Sequence, residues 1–491
     1  MKKNLWLLGI LGALAAVAPA NLVADQAERI AAFENRLDDL VPALLGRYGV
    51  PGASVALVSG GAVVWERGYG LADTATRRPV APDTLFQVAS ISKVLTAWGV
   101  MRLVEAGKLE LDAPVERYLT RWRLPPSAYD PAGVTVRRLL SHSAGLSLHG
   151  YPGRDPGTAL PAIEASLSGD NGGSGPVALT LPPGAQFSYS GGGYTLLQLM
   201  VEEVSGTGFA DYLAQTVLEP LGMAASAFEP SPATEAAVAT GYDAAGKALP
   251  GYIWTEKAAA GLLTSAPDLA RWVAAAMPGP DGEPAGRGVL EPATLQTMFA
   301  PAIGLTGMDT LMGDGYGLGY ALETLPSGAR LVGHGGSNRG WQSYFAALPG
   351  QGEGIVVLTN SDRGFMMHTE LVSAWAAWTG AGPTKLGRLL GAVRAAAAAL
   401  AVLAAGVLAW RLFGLARRLG AGRPRPPRWW LGALDLGGAA LALAAWFGAV
   451  GGVVGILMPD LAFWLAAAMI AWALVALAAA VLPRLPAFGR P

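Results

Sequence analysis

Three stretches near the C-terminus, residues 395–410, 436–459 and 461–483, carry no charged side chain. A helix rises 1.5 Å per residue, so about 20 residues cross a hydrocarbon layer of roughly 30 Å. The second and third runs reach that length alone, and the first reaches it when extended past Arg411 to Leu415. Three such runs in succession predict three transmembrane helices. Trp429 and Trp430 stand at the entrance of the second, where indole rings suit the water–lipid boundary. Asp435 lies near a predicted helix end and reads as an interfacial residue.

The remaining charges give these helices a direction. The last 97 residues hold eight Arg, two Asp and no Lys, a net charge of +6 in a chain whose total is −1. Six of those Arg lie in the 411–428 linker, and Arg484 and Arg490 follow the third run. Asp460 is the one charge between the second and third. The positive-inside rule places the linker and tail in the cytoplasm. Lys2 and Lys3 precede an apolar stretch over 5–17, and Ala18 and Ala20 follow, a pattern that reads as a secretory signal peptide cleaved after Ala20 or Ala24. Both signals put the intervening region outside the cytoplasmic membrane. The organisation expected is a signal peptide over 1–24, a globular domain over 25–384 and a multi-pass membrane domain over 385–491.

The globular part is mildly acidic, which argues against nucleic acid as a partner. The chain has no Cys, which excludes disulfides, Cys-ligated metals and a lipid anchor on an N-terminal Cys. Four scattered His without Cys predict no catalytic metal, and no cofactor is expected. Ile30, Phe33, Leu37, Val41 and Leu44 recur at helical spacing and predict an opening amphipathic helix. Residues 53–58 and 62–65 are β-rich and flank Ser59-Gly60-Gly61, a hairpin. Ile91, Val94, Trp98 and Met101 mark a second helix ending near Gly107. Segments 330–332, 342–348 and 354–359 read as strands between Gly-rich turns, and 169–176 as a surface loop. This order predicts an α/β domain of α+β type, whose antiparallel sheet takes strands from both chain ends.

Ser90-Ile91-Ser92-Lys93 opens the second helix. Residues three apart share a helix face, so Lys93 sits beneath Ser90. A neutral Lys there takes the hydroxyl proton, given burial or nearby positive charge to lower its pKa. The free N–H groups of the helix start suit a developing oxyanion. Of seven Lys in the chain, this one alone follows a Ser at the third position.

Several segments around this tetrad resemble the serine β-lactamase and penicillin-binding-protein-like hydrolases, most closely the branch of class C β-lactamases, esterases and D-aminopeptidases. They are YGVPG (48–52), FQVASISK (86–93), LLSHSAGL (139–146), PGAQFSYSGGGY (183–194), PLGM (220–223), GLLTS (261–265), YGLGY (316–320) and GHGG (333–336). The resemblance covers about 340 residues in the family's order. It implies a β-lactamase-like fold with an antiparallel sheet flanked by a helical region.

By that resemblance Ser90 is the nucleophile, Lys93 its activating neighbour and Tyr189 the proton shuttle. His334 hydrogen-bonds the substrate carboxylate or Tyr189 and, with Lys93, adds positive field. Gly335 and Gly336 let substrate approach the strand, and the N–H groups of Ser90 and Ser337 form the oxyanion hole. His142 is a structural residue, and His149 and His368 belong to no constellation. Two departures stand out. The second motif ends in Gly191 where the family usually has Asn, and the third is His-Gly-Gly where true lactamases often have Lys-Thr-Gly. Both favour an ester or short amide substrate, D-amino-acid peptides included, over a β-lactam. The expected partner is a small-molecule or peptide substrate. The alternative function is a non-hydrolytic sensor of cell-wall peptides or lactams; the oligomeric state is left open.

Overall fold

The computed structural model describes residues 5–420 and 459–481, with 437–438, 440–441 and 443–444 between them. It divides into two compact units, Met1–Lys385 and Leu386–Pro491.

The first unit opens with helix α1 (Leu5–Tyr48). Its predicted apolar face is the buried one, through Phe33, Leu37, Val41 and Leu44. The helix continues unbroken through the candidate cleavage points Ala20 and Ala24. Strands β1 (Gly52–Ser59), β2 (Ala62–Asp73) and β3 (Arg78–Pro79) follow, then the short β4 (Phe86–Gln87). After a long helical region come β5 (Leu263–Thr264), β6 (Ile303–Gly304), β7 (Gly315–Tyr316), β8 (Ala321–Thr324), β9 (Arg330–Asn338), β10 (Trp341–Leu348) and β11 (Glu353–Thr359). Nine of these form one antiparallel sheet in the order β3-β2-β1-β11-β10-β9-β8-β7-β6. Strands from both chain ends meet at its centre, where Ala53 pairs Thr359 and Val55 pairs Val357.

Every residue of β1 is buried, which requires cover on both faces of the sheet. One cover is helix α6 (Gly364–Trp378) with α1, joined by Phe33 stacked on Trp378 at 4.6 Å. The other is α5 (Ala266–Ala275), whose Trp272 meets Phe345 of β10 edge to face at 4.9 Å. Two strands run longer than their apolar pattern predicts. β2 continues to Asp73 because its outer positions, Glu66 and Arg67 among them, face water. β9 continues from Val332 to Asn338, past its apolar pattern but in line with the strand that the family resemblance implies for His334-Gly335-Gly336, because β10 pairs with it residue for residue.

The helical region is built on α2 (Ile91–Glu105), α3 (Gly191–Ser205) and the short α4 (Lys257–Ala260). Helix α2 buries twelve of its fifteen residues, so it is a core helix and not a surface one. It ends at Ala106 and Gly107, the glycine at φ +67°, as the sequence predicts.

In the second unit, helix α7 (Lys385–Gly420) contains the one segment among the described residues long and apolar enough to cross a membrane, within Lys385–Gly414 at mean hydropathy 2.1. The predicted third span corresponds to α8 (Pro459–Val481), in which Leu465–Ala476 is a shorter apolar helix. The predicted second span, 436–459, lies almost wholly outside the described residues. Among the described residues the predicted spans are thus represented by one long apolar helix and a shorter one.

Candidate active site

Ser90 stands at the N-cap of α2, partly exposed, with a hydroxyl that makes no capping bond. The preceding Ala89 is buried at φ +49°, a left-handed conformation costly for a residue with a Cβ. This bend turns the chain from β4 into the helix. Neighbouring bonds hold it: the Ser92 hydroxyl donates to Ala89 O at 2.5 Å and accepts from Leu262 N–H at 2.9 Å. Val88 N–H donates to Leu262 O, and Ser343 of β10 donates to Val88 O at 2.9 Å. The nucleophile candidate is therefore anchored to both the sheet and the helical region.

Lys93, one turn on, is 2% exposed. Its Nζ donates to Ser90 Oγ at 3.1 Å and to Ala259 O of α4 at 2.7 Å. The rings of Tyr189 and Tyr194 flank it, with centroids at 5.0 and 5.8 Å. Among the described residues no carboxylate pairs with it. Loss of water is then uncompensated, and burial lowers its pKa to about 7. Both protonation states are populated at neutral pH.

Tyr189 approaches from the loop before α3, its ring over Lys93 Nζ. Burial raises its pKa above the ordinary phenol value, outweighing the opposite influence of the nearby Ser90 side chain, so it is a neutral phenol. Its position is set by His142. Ser188 N–H donates to His142 O at 2.7 Å, and Ser190 N–H to His142 Nδ1 at 3.1 Å. The imidazole lies against the Tyr189 ring at 4.1 Å. His142 thus supports the Tyr189 loop, but it is not the fully satisfied structural histidine expected: it takes a left-handed φ of +53° and its Nε2 has no partner among the described residues.

His334 differs from the sequence expectation. Its Nδ1 is 2.6 Å from Gly335 O, which can only accept, so Nδ1 carries the proton. Its Nε2 then accepts from the Tyr316 hydroxyl at 2.8 Å. Both nitrogens are occupied within the protein, and the ring centroid stands 6.2 Å from that of Tyr189. Burial first, and the nearby Lys93 second, lower its pKa to about 3. A neutral imidazole bonded to Tyr316 supplies no positive field and makes no bond to Tyr189. Its place is to tie β9 to β7.

The glycines after it have a steric reason. A Cβ on Gly336 would fall 2.1 Å from Val88 O and 2.4 Å from Ser343 Oγ. Only glycine lets β9 pass this close to the strand leading into Ser90. A Cβ on Gly335 would press the Tyr344 ring at 3.2 Å. Beyond Gly333, β9 has no strand on its side away from β10, since β8 pairs only Arg330 to Gly333. Exposed Ser337 lies on that open stretch, its Oγ accepting from Gln342 Nε2 at 2.7 Å.

Two residues at this site escape the sequence reading. Tyr316 sits in a quoted motif, but its bond to His334 joins separate strands. Exposed His149 lies against the Tyr189 ring at 4.8 Å, so it does belong to a constellation. Its carbonyl accepts from Gly191 N–H at 3.1 Å. A Cβ on Gly191 would meet His149 O at 3.1 Å and Gly150 and Tyr151 atoms at 3.3 Å. The 149–151 segment thus crowds the direction in which the family's Asn would project. No spacing in the sequence signals this contact.

An antiparallel sheet edge facing a Ser-x-x-Lys helix start and a Tyr-bearing loop defines the class of serine β-lactamase and penicillin-binding-protein-like proteins. The chain belongs to the beta-lactamase family, whose model matches residues 37–376. Penicillin-binding protein 4 of Amycolatopsis lactamdurans is 31% identical over 339 residues, 67% of this chain and 86% of that protein. Protein flp of Staphylococcus aureus (strain COL) is 24% identical over 355 residues, 69% of this chain and 67% of that protein. Among solved structures, the octameric penicillin-binding protein homologue from Pyrococcus abyssi is similar, with TM-score 0.59 and 29% identity. The match covers 72% of this chain and 78% of that one.

Proposed function

We propose that this protein is a serine hydrolase working through an acyl-enzyme on an ester or a short amide, D-amino-acid peptides included. Ser90 is the nucleophile. Neutral Lys93 takes its proton as Oγ attacks the carbonyl, and the N–H groups of Ser90 and Ser337 receive the oxyanion. The Tyr189 phenol passes a proton to the leaving group and later helps activate the water that frees the acyl group. Gly335 and Gly336 keep the strand backbone accessible to substrate. The observation that carries this reading is the Lys93 Nζ to Ser90 Oγ distance of 3.1 Å, with the amine's pKa near 7. A deprotonated amine within reach of a hydroxyl not engaged in capping is what activation requires. Ser90→Ala should abolish labelling by a fluorophosphonate probe, and labelling at full strength in that variant would refute the assignment.

We further propose that the domain acts outside the cytoplasmic membrane, tethered by the C-terminal apolar helices, with residues 1–24 as signal peptide. The apolar segment in Lys385–Gly414 and the Arg-rich 411–428 linker support this. Protease added to intact cells should digest the domain; protection equal to that of a cytoplasmic marker would refute the orientation.

A further inference from the structure

Helix α4 has four residues, too few to persist without support. A helix this short leaves most of its N–H and C=O groups without a partner inside the helix, so both its ends must be held from outside. Its own N-cap residue does not do this. Glu256 is buried and makes no capping bond; its carboxyl group accepts from the Ser166 hydroxyl instead. The start of α4 is held from another helix. Gln198 of α3 is 3% exposed, and its carboxamide spans that start. Nε2 donates to Thr255 O at 2.9 Å, and Oε1 accepts from Ala258 N–H at 3.0 Å. A buried amide needs such partners for both its donor and its acceptor.

The carbonyl end of α4 faces α2. Ala258 O accepts from Thr96 Oγ1 at 3.2 Å, and Ala259 O accepts from Lys93 Nζ at 2.7 Å. A carbonyl can only accept, so one N–H of Lys93 must point at Ala259. With that N–H fixed, rotation of the amine is limited, and Ser90 Oγ lies 3.1 Å from the same nitrogen. The place of Ala259 O depends in turn on how the start of its four-residue helix is held. We infer that Gln198 is a positioning residue: by clamping the start of α4 it holds Ala259 O against Lys93 Nζ and keeps the amine turned toward Ser90. The inference rests on the hydrolase reading above, in which Lys93 takes the Ser90 proton. Gln198 itself moves no proton and acts only through α4.

The test uses the full chain and the pH profile of fluorophosphonate labelling. Gln198→Met keeps an unbranched side chain of similar size but makes neither bond. Loosening α4 admits water to Lys93, whose pKa is lowered by burial. The midpoint of the profile should therefore rise by about one unit, and labelling at pH 6 should slow roughly tenfold. Tyr320→Phe is the control. It removes the bond from Trp98 Nε1 of α2 at 2.8 Å but no bond of α4, so it should lower stability and leave the midpoint in place. Should Gln198→Met fail to fold, Thr96→Val removes the bond to Ala258 O instead, and a smaller rise in the midpoint is expected. A midpoint unmoved or lowered in the variant that folds, or raised equally by Tyr320→Phe, would overturn the inference and leave the hydrolase reading intact. A wild type that is not labelled, or whose labelling has no such midpoint, would overturn the proposed role of Lys93 and this inference with it.

Discussion

In the proposed mechanism the pKa of Lys93 sets how acylation responds to pH. Lowering an amine from its ordinary value of 10.5 to about 7 corresponds to roughly 5 kcal/mol against the charged form. Burial alone accounts for it, with no carboxylate to restore the charge. The neutral fraction should be about one in ten at pH 6, one half at pH 7 and nine in ten at pH 8. A solvated Lys would be neutral in only about one molecule in 3,000 at pH 7. If neutral Lys93 receives the Ser90 proton, the second-order rate of fluorophosphonate labelling rises about tenfold per pH unit below 7 and levels off above 8. Lys93→Met should abolish this acidic limb and slow labelling by about 10²–10⁴-fold, the usual contribution of a positioned base. Its thermal unfolding would show that the fold survives. A rate still climbing tenfold per unit at pH 9 would mean that Lys93 is charged at neutrality, and a flat profile would mean that its proton does not matter. Either result refutes the reasoning.

Three further outcomes test other parts of the structure. Tyr189→Phe keeps the ring between Lys93 and His142 but removes the hydroxyl; kcat should fall about 10²–10⁴-fold with little change in KM, and an unchanged kcat would remove Tyr189 from the mechanism. Gly336→Ala forces a methyl group against Val88 O, so it should cost about 1–3 kcal/mol in denaturant unfolding and slow labelling of Ser90; a variant equal to wild type in both would show that β9 yields freely. His368 is buried near Thr359, and burial lowers its pKa to about 3. The unfolded chain takes up its proton as pH falls through 6.5, while the folded chain does so only near 3, so this group's destabilising effect grows on acidification. Between pH 7 and pH 5 it should cost roughly 2 kcal/mol, and His368→Gln should lessen the loss of stability by about that amount; an identical loss in the variant would contradict it.

What the sequence makes legible is what depends on few neighbours. The Ser90–Lys93 relation follows from helix geometry alone, and it holds at 3.1 Å. The opening helix and the first hairpin follow from periodicity, because their buried faces are continuous along the chain. Reading fails where pairing overrides composition. β9 crosses four residues of Gly and His that no strand preference favours, because β10 supplies a partner at each. Nor does the motif disclose the hydrogen-bond partner of His334 within the protein. Its partner, Tyr316, lies eighteen residues earlier, and only the arrangement of β7 to β9 brings their ring nitrogen and hydroxyl together.

Gly191 shows the same limit from the opposite side. In the sequence it is a missing Asn, which argues for weakened catalysis. In the structure it is a position crowded by His149 O and Tyr151, so the loss of one side chain comes with the approach of another segment. The imidazole of His149 then lies beside Tyr189, with ring centroids 4.8 Å apart. Under the proposed function, a substrate group that the family's Asn would hold meets the 149–151 segment instead. Under the proposed mechanism the substitution changes which substrate groups the site can grip and leaves its reacting groups in place, because Lys93 Nζ still reaches Ser90 Oγ at 3.1 Å with the Tyr189 ring 5.0 Å away.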